Sequence, residues 1–330
     1  MKTSASRRTA PPPPFRLLFV ALLLITSCGV PDVDGPDWLE PTTPTAAPAR
    51  MPPRLHLDGA DLRDDAGHVV KLRGVNVCSL EFDSTGANWD GAIAVLSDPA
   101  RWRANAVRMP VNQEWFLTED AYVARVESLI DEAALAGLYV IVDVQWENAQ
   151  RTEPYQLNIL KAPTFGFGNT TEAFWHRASG RWSNRTHVLF DVINEPHDTP
   201  FDVLHTLMQR MVDRLSQRAP EQLVVVGGPD WAHSVEPWRQ RPLKGNVVYA
   251  AHQYLPYDPP EKFNENFGRT SRELPVIVSE FLSEDDGYVD AVIDAAESAG
   301  VDGWMPWAIG CGFTLDEERL ASRVRARTTP

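Results

Sequence analysis

Eight short apolar runs recur along this chain at intervals long enough to hold a helix, and that rhythm limits the fold more than any other feature. The runs are Leu72–Val77, Ala106–Pro110, Tyr139–Val144, Val188–Asn194, Leu223–Gly227, Val247–Tyr254, Val276–Glu280 and Gly303–Trp307. Between them lie amphipathic stretches, clearest in Asp120–Ala136, Phe201–Arg218 and Tyr288–Ala299. In the first of these Val123, Val126, Leu129, Ile130 and Ala133 share one face at the helical period. Thr118-Glu119-Asp120 supplies its start signal and Gly137 its stop. Strands that alternate with helices make a parallel sheet. Eight units in roughly 275 residues fit a closed barrel, and no glycine-rich nucleotide loop follows the first run. Gly227-Gly228 reads as a tight strand exit. Upstream, Leu55–Leu57 and Asp61–Leu72 read as a β-hairpin turning around Asp65-Ala66-Gly67. The expected fold is α/β, a (β/α)8 TIM barrel with an N-terminal β-hairpin.

The N-terminal residues stand apart from this rhythm. Met1–Arg16 carries Lys2, Arg7, Arg8 and Arg16 and no acidic residue. Leu17–Ile25 is an unbroken apolar run, too short to span a bilayer and of signal-peptide length. Ile25-Thr26-Ser27-Cys28 resembles a bacterial lipoprotein processing box, in which Cys28 becomes the first mature residue and carries acyl chains. Pro31, Pro36, Pro41, Pro44, Pro48, Pro52 and Pro53 then stand among Thr and Ala, a composition that favours an extended, semi-rigid spacer. The expected organisation is a signal peptide over 1–27, a tether over 28–53 and a folded domain over 54–330. Such a protein is exported by a bacterium and faces the cell surface or the periplasm. The net charge is −14, and losing the basic leader makes the body more acidic still. That charge repels phosphates, so nucleic acid is not an expected partner, whereas a neutral polysaccharide is compatible with it.

In barrels of this kind the active site lies at the C-terminal ends of the strands. Those ends carry Asn76, Arg108, Asp143 with Gln145 and Trp146, Asn194 with Glu195, Trp231, His252 with Tyr254, Glu280, and Trp304 with Trp307. Carboxylates, hydrogen-bonding groups and aromatic plates gather where a scatter of core residues would place aliphatics. Glu195 and Glu280 each end an apolar run, so two carboxyls from different strands face one cleft. One carboxyl that protonates a leaving oxygen while another attacks or activates water is the division of labour of glycoside hydrolysis. Trp115, Trp146, Trp231, Trp238 and Trp307 stand at or just beyond strand ends, where aromatic faces stack on pyranose rings. Trp102, Trp175 and Trp182 fall in helical patterns and read as core. The long segment Glu147–Asn169, with Tyr155, Phe165 and Phe167, is expected to arch over one side of the cleft.

Leu72-Arg-Gly-Val-Asn76, Asn194-Glu195-Pro196, His252-Gln-Tyr254 and Val278-Ser-Glu280-Phe281, in that order, resemble glycoside hydrolase family 5, the family of many endoglucanases and mannanases. The resemblance runs from about Leu55 to Trp307. It implies Glu195 as acid/base, Glu280 as nucleophile, and retention of configuration through a covalent glycosyl-enzyme. The acid has to stay protonated near neutrality. That asks for a pKa of about 6 rather than about 4.3, reached through partial burial and the nearby negative nucleophile. Arg108 and the Tyr254 hydroxyl would hold Glu280 ionised, Asn194 would take the sugar 2-hydroxyl, and His252 would bond near the acid/base. Asn76 reads as structural, and Trp307 resembles the family's sugar-stacking tryptophan. One departure stands out. The family commonly has Asp-x-His-Trp where this chain reads Asp143-Val-Gln145-Trp146. Glutamine keeps hydrogen-bonding capacity but carries neither a mobile proton nor a charge, so altered specificity is expected rather than lost activity.

The barrel also answers the cysteine question. Cys78 follows the first strand and Cys311 the eighth, and strand neighbours lie about 4.8 Å apart, within disulfide range. A Cys78–Cys311 disulfide pinning the closure seam is expected in an exported protein. No metal-ligand spacing appears, so neither a metal nor an organic cofactor is expected. The expected protein is a monomer that takes a β-linked carbohydrate and meets the membrane only through the lipid on Cys28. Two other readings stay open: a transglycosylase, in which a sugar replaces water as acceptor, and a non-catalytic surface barrel that binds glycans, supported only by Gln145.

Overall fold

The computed structural model of the chain describes residues 42–146, 171–311 and 316–328. The chain divides into Met1–Asp32 and Val33–Pro330, and the first unit lies wholly outside the described residues. The signal peptide, Cys28 and the arching segment Glu147–Asn169 therefore fall outside them too. Among the described residues no helix is long and apolar enough to cross a membrane.

The first element along the chain is a hairpin. β1 (His56–Asp58) pairs antiparallel with β2 (Asp61–Arg63). The turn between them falls at Gly59-Ala60, earlier than expected, because Gly59 supplies the left-handed backbone (φ 62°) that a two-residue turn needs. The expected turn at Asp65-Ala66-Gly67 is a second bend, closed by Gly67 N–H donating to Asp64 O at 2.9 Å and by an Arg63–Val69 bridge.

The eight strands that follow are β3 (Leu72–Asn76), β4 (Ala106–Asn112), β5 (Tyr139–Trp146), β6 (Val188–Asp191), β7 (Val224–Gly227), β8 (Val247–Gln253), β9 (Val276–Phe281) and β10 (Gly303–Trp304). They run parallel and close in the order β10-β3-β4-β5-β6-β7-β8-β9. Gly74 permits the first pairing: a Cβ there would lie 2.0 Å from the Ala106 carbonyl oxygen of the neighbouring strand. Gly228 is a tight strand exit for the same reason, with its missing Cβ 2.2 Å from Ser234 O. Helices α1 (Ala92–Ser97), α2 (Gln113–Thr118), α3 (Asp120–Leu135), α4 (Thr171–Trp182), α5 (Phe201–Arg218), α6 (Glu236–Gln240), α7 (Asp286–Ala299) and α8 (Glu317–Arg327) occupy the connections and the C-terminal part. α7 starts ahead of the expected Tyr288 because Asp285 caps it, accepting from Tyr288 N–H at 2.8 Å. Glu119 precedes α3 without a side-chain cap, since α2 delivers the chain directly to that position.

Two strands stop three residues short of their apolar runs. β6 ends at Asp191; beyond it Asn194 N–H turns to Val144 O on β5 at 3.1 Å, and Pro196 has no N–H to extend a ladder. β10 ends at Trp304 because Pro306 interrupts it, although Trp307 N–H still reaches Phe281 O at 2.9 Å.

Alternate residues climb the barrel interior at the strand period. The lower layers are apolar and join Leu72, Ala106, Tyr139, Ile141, Leu189, Leu223, Val225, Val248, Ala250 and Ile277 into one cluster. Leu55 and Leu62 of the hairpin region belong to the same cluster, so the hairpin plugs the end where the strands begin. Burying each such leucine is worth about 1.5–3 kcal/mol. Continuing upward at the same period gives Arg108 on β4, Asp143 and Gln145 on β5, Asp191 on β6 and His252 on β8. The polar layer lies at the opposite end from the hairpin.

The folded part starts before the expected boundary at residue 54. Thr45 accepts from Arg185 through its hydroxyl (2.7 Å) and from Asn184 through its carbonyl (3.0 Å), and donates to Arg181 O (3.1 Å). Pro52 and Pro53 carbonyls accept from Thr186 and Tyr139. Prolines keep this stretch extended, as its composition implies, but it lies along the barrel instead of standing free.

Candidate active site

Arg108 organises the polar layer. Fully buried, its guanidinium donates to Glu280 Oε1 at 2.5 Å, Asp191 Oδ2 at 3.0 Å, Asn194 Oδ1 at 3.0 Å and Asn76 Oδ1 at 3.1 Å. Asp143 Oδ1 lies 3.1 Å away as an ionic contact without hydrogen-bond alignment. One cation thus faces three carboxyls from three strands. Burial and the neighbouring negative groups push Asp143 well above the usual carboxylate range, and burial, against Arg108, brings Asp191 to about 6. Asn76 is structural as expected: its amide nitrogen donates to Ser279 O, Met305 O and Pro306 O across the seam.

The two glutamates meet above this hub. Glu280, at the end of β9, accepts from Arg108 and, through Oε2, from the Tyr254 hydroxyl at 3.0 Å. Glu195, on the loop after β6, has Oε1 2.7 Å from His252 Nδ1. His252 Nδ1 is also 3.5 Å from Glu280 Oε2, and its Nε2 sits 3.0 Å from the Ser279 hydroxyl. A carboxylate oxygen of Glu195 and one of Glu280 lie within 4.8 Å of each other.

Their surroundings differ in kind. Burial raises Glu195 to about 7, opposed by the positive Arg108, His233 and His197. The expected contribution of a negative nucleophile is not among the main causes; Asp258 is the negative neighbour that matters. Burial lowers His252 to about 4, so its imidazole is neutral at pH 7. Glu195, His252 and Glu280 are the described residues whose donor atoms cluster as metal ligands would, apart from a set that includes the disulfide cysteines. Both nitrogens of His252 and both oxygens of Glu280 are already engaged by neighbours, which suits proton and nucleophile chemistry better than metal ligation.

Around the pair opens a cleft of about 1280 Å³. On the β3 and β10 side it is walled by Glu81, Phe82, Trp307 and Cys311, with Gln145 and Trp146 from β5. On the β7 and β8 side stand Asp230, Trp231, His233, Tyr257, Asp258 and Lys262. Trp231 stacks on His197 with ring centroids 3.9 Å apart and planes 7° apart. Asp230, Trp231 and Ala232 all take left-handed backbone (φ 57°, 61° and 56°), a run of strain that holds the ring at the cleft wall. Gln145 Oε1 is buried without a hydrogen-bond partner among the described residues. Asn194 Nδ2 is likewise a buried donor without a partner. Trp238 is core instead of cleft, fully buried in α6 and donating to Gly227 O at 3.0 Å, and Trp115 packs on Tyr122 at 5.6 Å. Trp102, Trp175 and Trp182 are buried core residues as expected, but only Trp175 and Trp182 are helical, in α4; Trp102 lies in a turn beyond α1. Cys78 and Cys311 form a disulfide with Cα atoms 5.5 Å apart.

With this geometry in place, comparison with known proteins decides the family. The model of the cellulase family, glycosyl hydrolase family 5, matches residues 63–311. The chain belongs to glycosyl hydrolase family 5. Among curated family relatives, Endoglucanase E-5 of Thermobifida fusca is 25% identical over 290 residues, covering 80% of this chain and 57% of its own length. Endoglucanase MaCel5A of a Microbulbifer species is 26% identical over 274 residues, covering 77% and 50%. The chain thus spans about half the length of these relatives. The barrel is similar to that of β-glucanase SdGluc5_26A from Saccharophagus degradans, with a TM-score of 0.70 at 22% identity over 88% of this chain and 99% of that one. The catalytic domain of Thermobifida fusca endoglucanase Cel5A gives 0.66 at 22% identity, covering 82% and 97%.

The family 5 match stops at Cys311 and begins inside the hairpin, so it spans the whole barrel and both glutamates. The structure brings Arg108, Gln145, Trp146, Asn194, Glu195, His252, Tyr254, Glu280 and Trp307 together at one end of that barrel. Sequence reasoning missed Glu81, Asp191 and the His233–Asp258 pair, whose Nδ1 and Oδ2 lie 2.7 Å apart. Asp191 had a signal, since it sits two residues, one strand period, above the core residue Leu189. The other three lie on loops and had none.

Proposed function

We propose that this chain is a retaining β-glycosidase that cleaves β-linked glucan within the chain, with Glu195 as acid/base and Glu280 as nucleophile. The observation that carries the reading is the approach of the two carboxyls to within 4.8 Å. Retaining enzymes hold the pair about 5–5.5 Å apart, whereas inverting ones leave about 6.5–9.5 Å for a water molecule. The endoglucanase relatives support a glucan substrate, and the S. degradans β-glucanase has been seen with cellotetraose.

The first step follows from the surroundings. Glu280, held in place by Arg108 and Tyr254, attacks the anomeric carbon as its carboxylate. Glu195, kept protonated by burial, gives its proton to the leaving oxygen. A neutral His252 donating from Nδ1 to Oε1 leaves that proton on Oε2. Departure of the first product lets water in; Glu195, now a carboxylate, takes its proton as it opens the glycosyl-enzyme. Asn194 Nδ2 is the donor suited to the sugar 2-hydroxyl, and Trp307 and Trp231 offer stacking faces on opposite sides of the bond.

Glu195→Gln and Glu280→Gln are each expected to lower kcat on cellotetraose by about 10³-fold or more, with the fold intact by circular dichroism. A wild type with no turnover on β-glucan, mannan or xylan would favour the glycan-binding reading, and products longer than the substrate would favour transglycosylation. We also propose that the protein is exported and anchored through acylated Cys28, supported by the basic leader and the apolar run before it. Cys28→Ala is expected to move it from the membrane to the soluble fraction of its host; unchanged partition would count against the anchor.

A further inference from the structure

Glu81 is a third acid in the cleft, and the mechanism above does not use it. It is 1% exposed, yet it lines the cavity beside Trp307 and Cys311. The loop that carries it is held on every side. Cys78 is bonded to Cys311, the Tyr122 hydroxyl donates to Leu80 O at 2.7 Å, and Asn112 Nδ2 donates to Glu81 O at 3.1 Å. Ser79 takes a φ of 145°, a region that residues other than glycine rarely adopt, and its N–H donates to Glu81 Oε2 at 2.8 Å. Strained backbone of this kind persists where the surroundings over-determine it, and it clusters at functional sites. Among the described residues Oε1 takes no hydrogen bond from another residue. A buried carboxyl at the wall of the cleft, held by the Ser79 N–H and its own N–H, keeps acceptor and donor capacity that a ligand can complete.

The barrel order says which ligand. Glu195 sits next to the β7 loop, where Trp231 N–H donates to Pro196 O at 3.1 Å, so the leaving sugar lies on that side. The sugar attacked by Glu280 lies toward β10 and β3, where Glu81 stands. The geometry points to Glu81 as a sugar-binding residue of that half of the cleft, its carboxyl hydrogen-bonded to a ring hydroxyl on the Trp307 side of the cleaved bond. The assignment rests on the glycosidase reading and deepens it. Glu280 on β9, Arg108 on β4, Asp143 on β5 and Tyr122 on α3 are the titratable groups that face Glu81. Burial, with the Glu280 charge adding to it, raises the Glu81 carboxyl to about 8 against the opposing N–H groups of Ser79 and of Glu81 itself and the Arg108 charge. At neutral pH it is therefore protonated and offers a donor as well as an acceptor, which matches a hydroxyl.

The test compares wild type, Glu81→Gln and Glu81→Ala on 2-chloro-4-nitrophenyl β-cellobioside. At pH 6, Glu81→Ala is expected to lose about tenfold in kcat/KM, and Glu81→Gln to recover most of that loss. Above pH 8 the wild type is expected to lose activity through two ionisations, Glu195 and Glu81, and Glu81→Gln through one. A merely structural role would leave that slope the same in both. Glu81→Ala within twofold of wild type, or Glu81→Gln as impaired as Glu81→Ala, would overturn the assignment. A wild type inactive on this substrate would instead fail the glycosidase reading. Calorimetric titration with cellotetraose then tests Glu81 alone: tenfold weaker binding by Glu81→Ala supports it, and equal affinities or no binding to either protein overturns it.

Discussion

The proposed mechanism gives opposite tasks to two glutamates of identical chemistry, and their neighbours differ accordingly. Glu280 accepts from Arg108 and Tyr254, whereas Glu195 is buried beside the His252 imidazole, and burial raises its pKa to about 7. In the proposed mechanism the acid form of Glu195 is the active one, so kcat/KM is expected to fall as pH rises through about 7. His233, whose bond to Asp258 raises its own pKa, is a positive neighbour that lowers Glu195. Removing it in His233→Ala is expected to move the alkaline limb to higher pH, as read from the kcat/KM profile; a limb that stays in place or moves lower would contradict this. Glu195, Glu280, Arg108, His252 and Tyr254 were legible in the sequence because each sits at or just past the end of an apolar run. Glu81 and His233 were not. Their loops are shaped by left-handed backbone at Ser79 and at Asp230–Ala232, and none of those residues is a glycine that would have flagged the bend.

The strands and helices were legible because period-two and helical patterns follow from burial on one face. Their ends were not, since ends depend on partners distant in sequence. β10 is the instructive case. The run through Trp307 reads as one strand, yet Pro306 was visible and cuts it to Gly303–Trp304. The seam that β10 closes is therefore short. It is extended by the Val77–Ile309 bridge, by Cys78 N–H donating to Ile309 O at 3.0 Å, and by the disulfide. With a sequence separation of 233, that cross-link restricts a very long unfolded loop. The Cys78→Ala/Cys311→Ala protein is expected to lose about 3–5 kcal/mol in denaturant unfolding, and also activity, because Glu81 and Trp307 flank the bond. An unchanged midpoint would show that strand pairing alone carries the seam.

At the scale of the whole molecule the two ends of the barrel do different work. One end is plugged by the hairpin and its buried Leu62, while the other gathers charge around Arg108. A buried cation with several anionic partners stabilises only while the set is complete, and breaking one such pair typically costs about 3–5 kcal/mol. The proline-rich stretch from residue 42 was read as spacer because composition reports local stiffness. Its docking on Arg181, Asn184 and Arg185 depends on residues far along the chain. The proposed function depends on the distance between two carboxyls, and the stereochemistry of the product reports it. Proton NMR of the first anomer released from an aryl β-cellobioside is the most direct measurement. Double displacement across a gap of under 4.8 Å gives the β-anomer first, followed by slow mutarotation. The α-anomer appearing first would mean that water attacks directly, and would contradict Glu280 as the nucleophile.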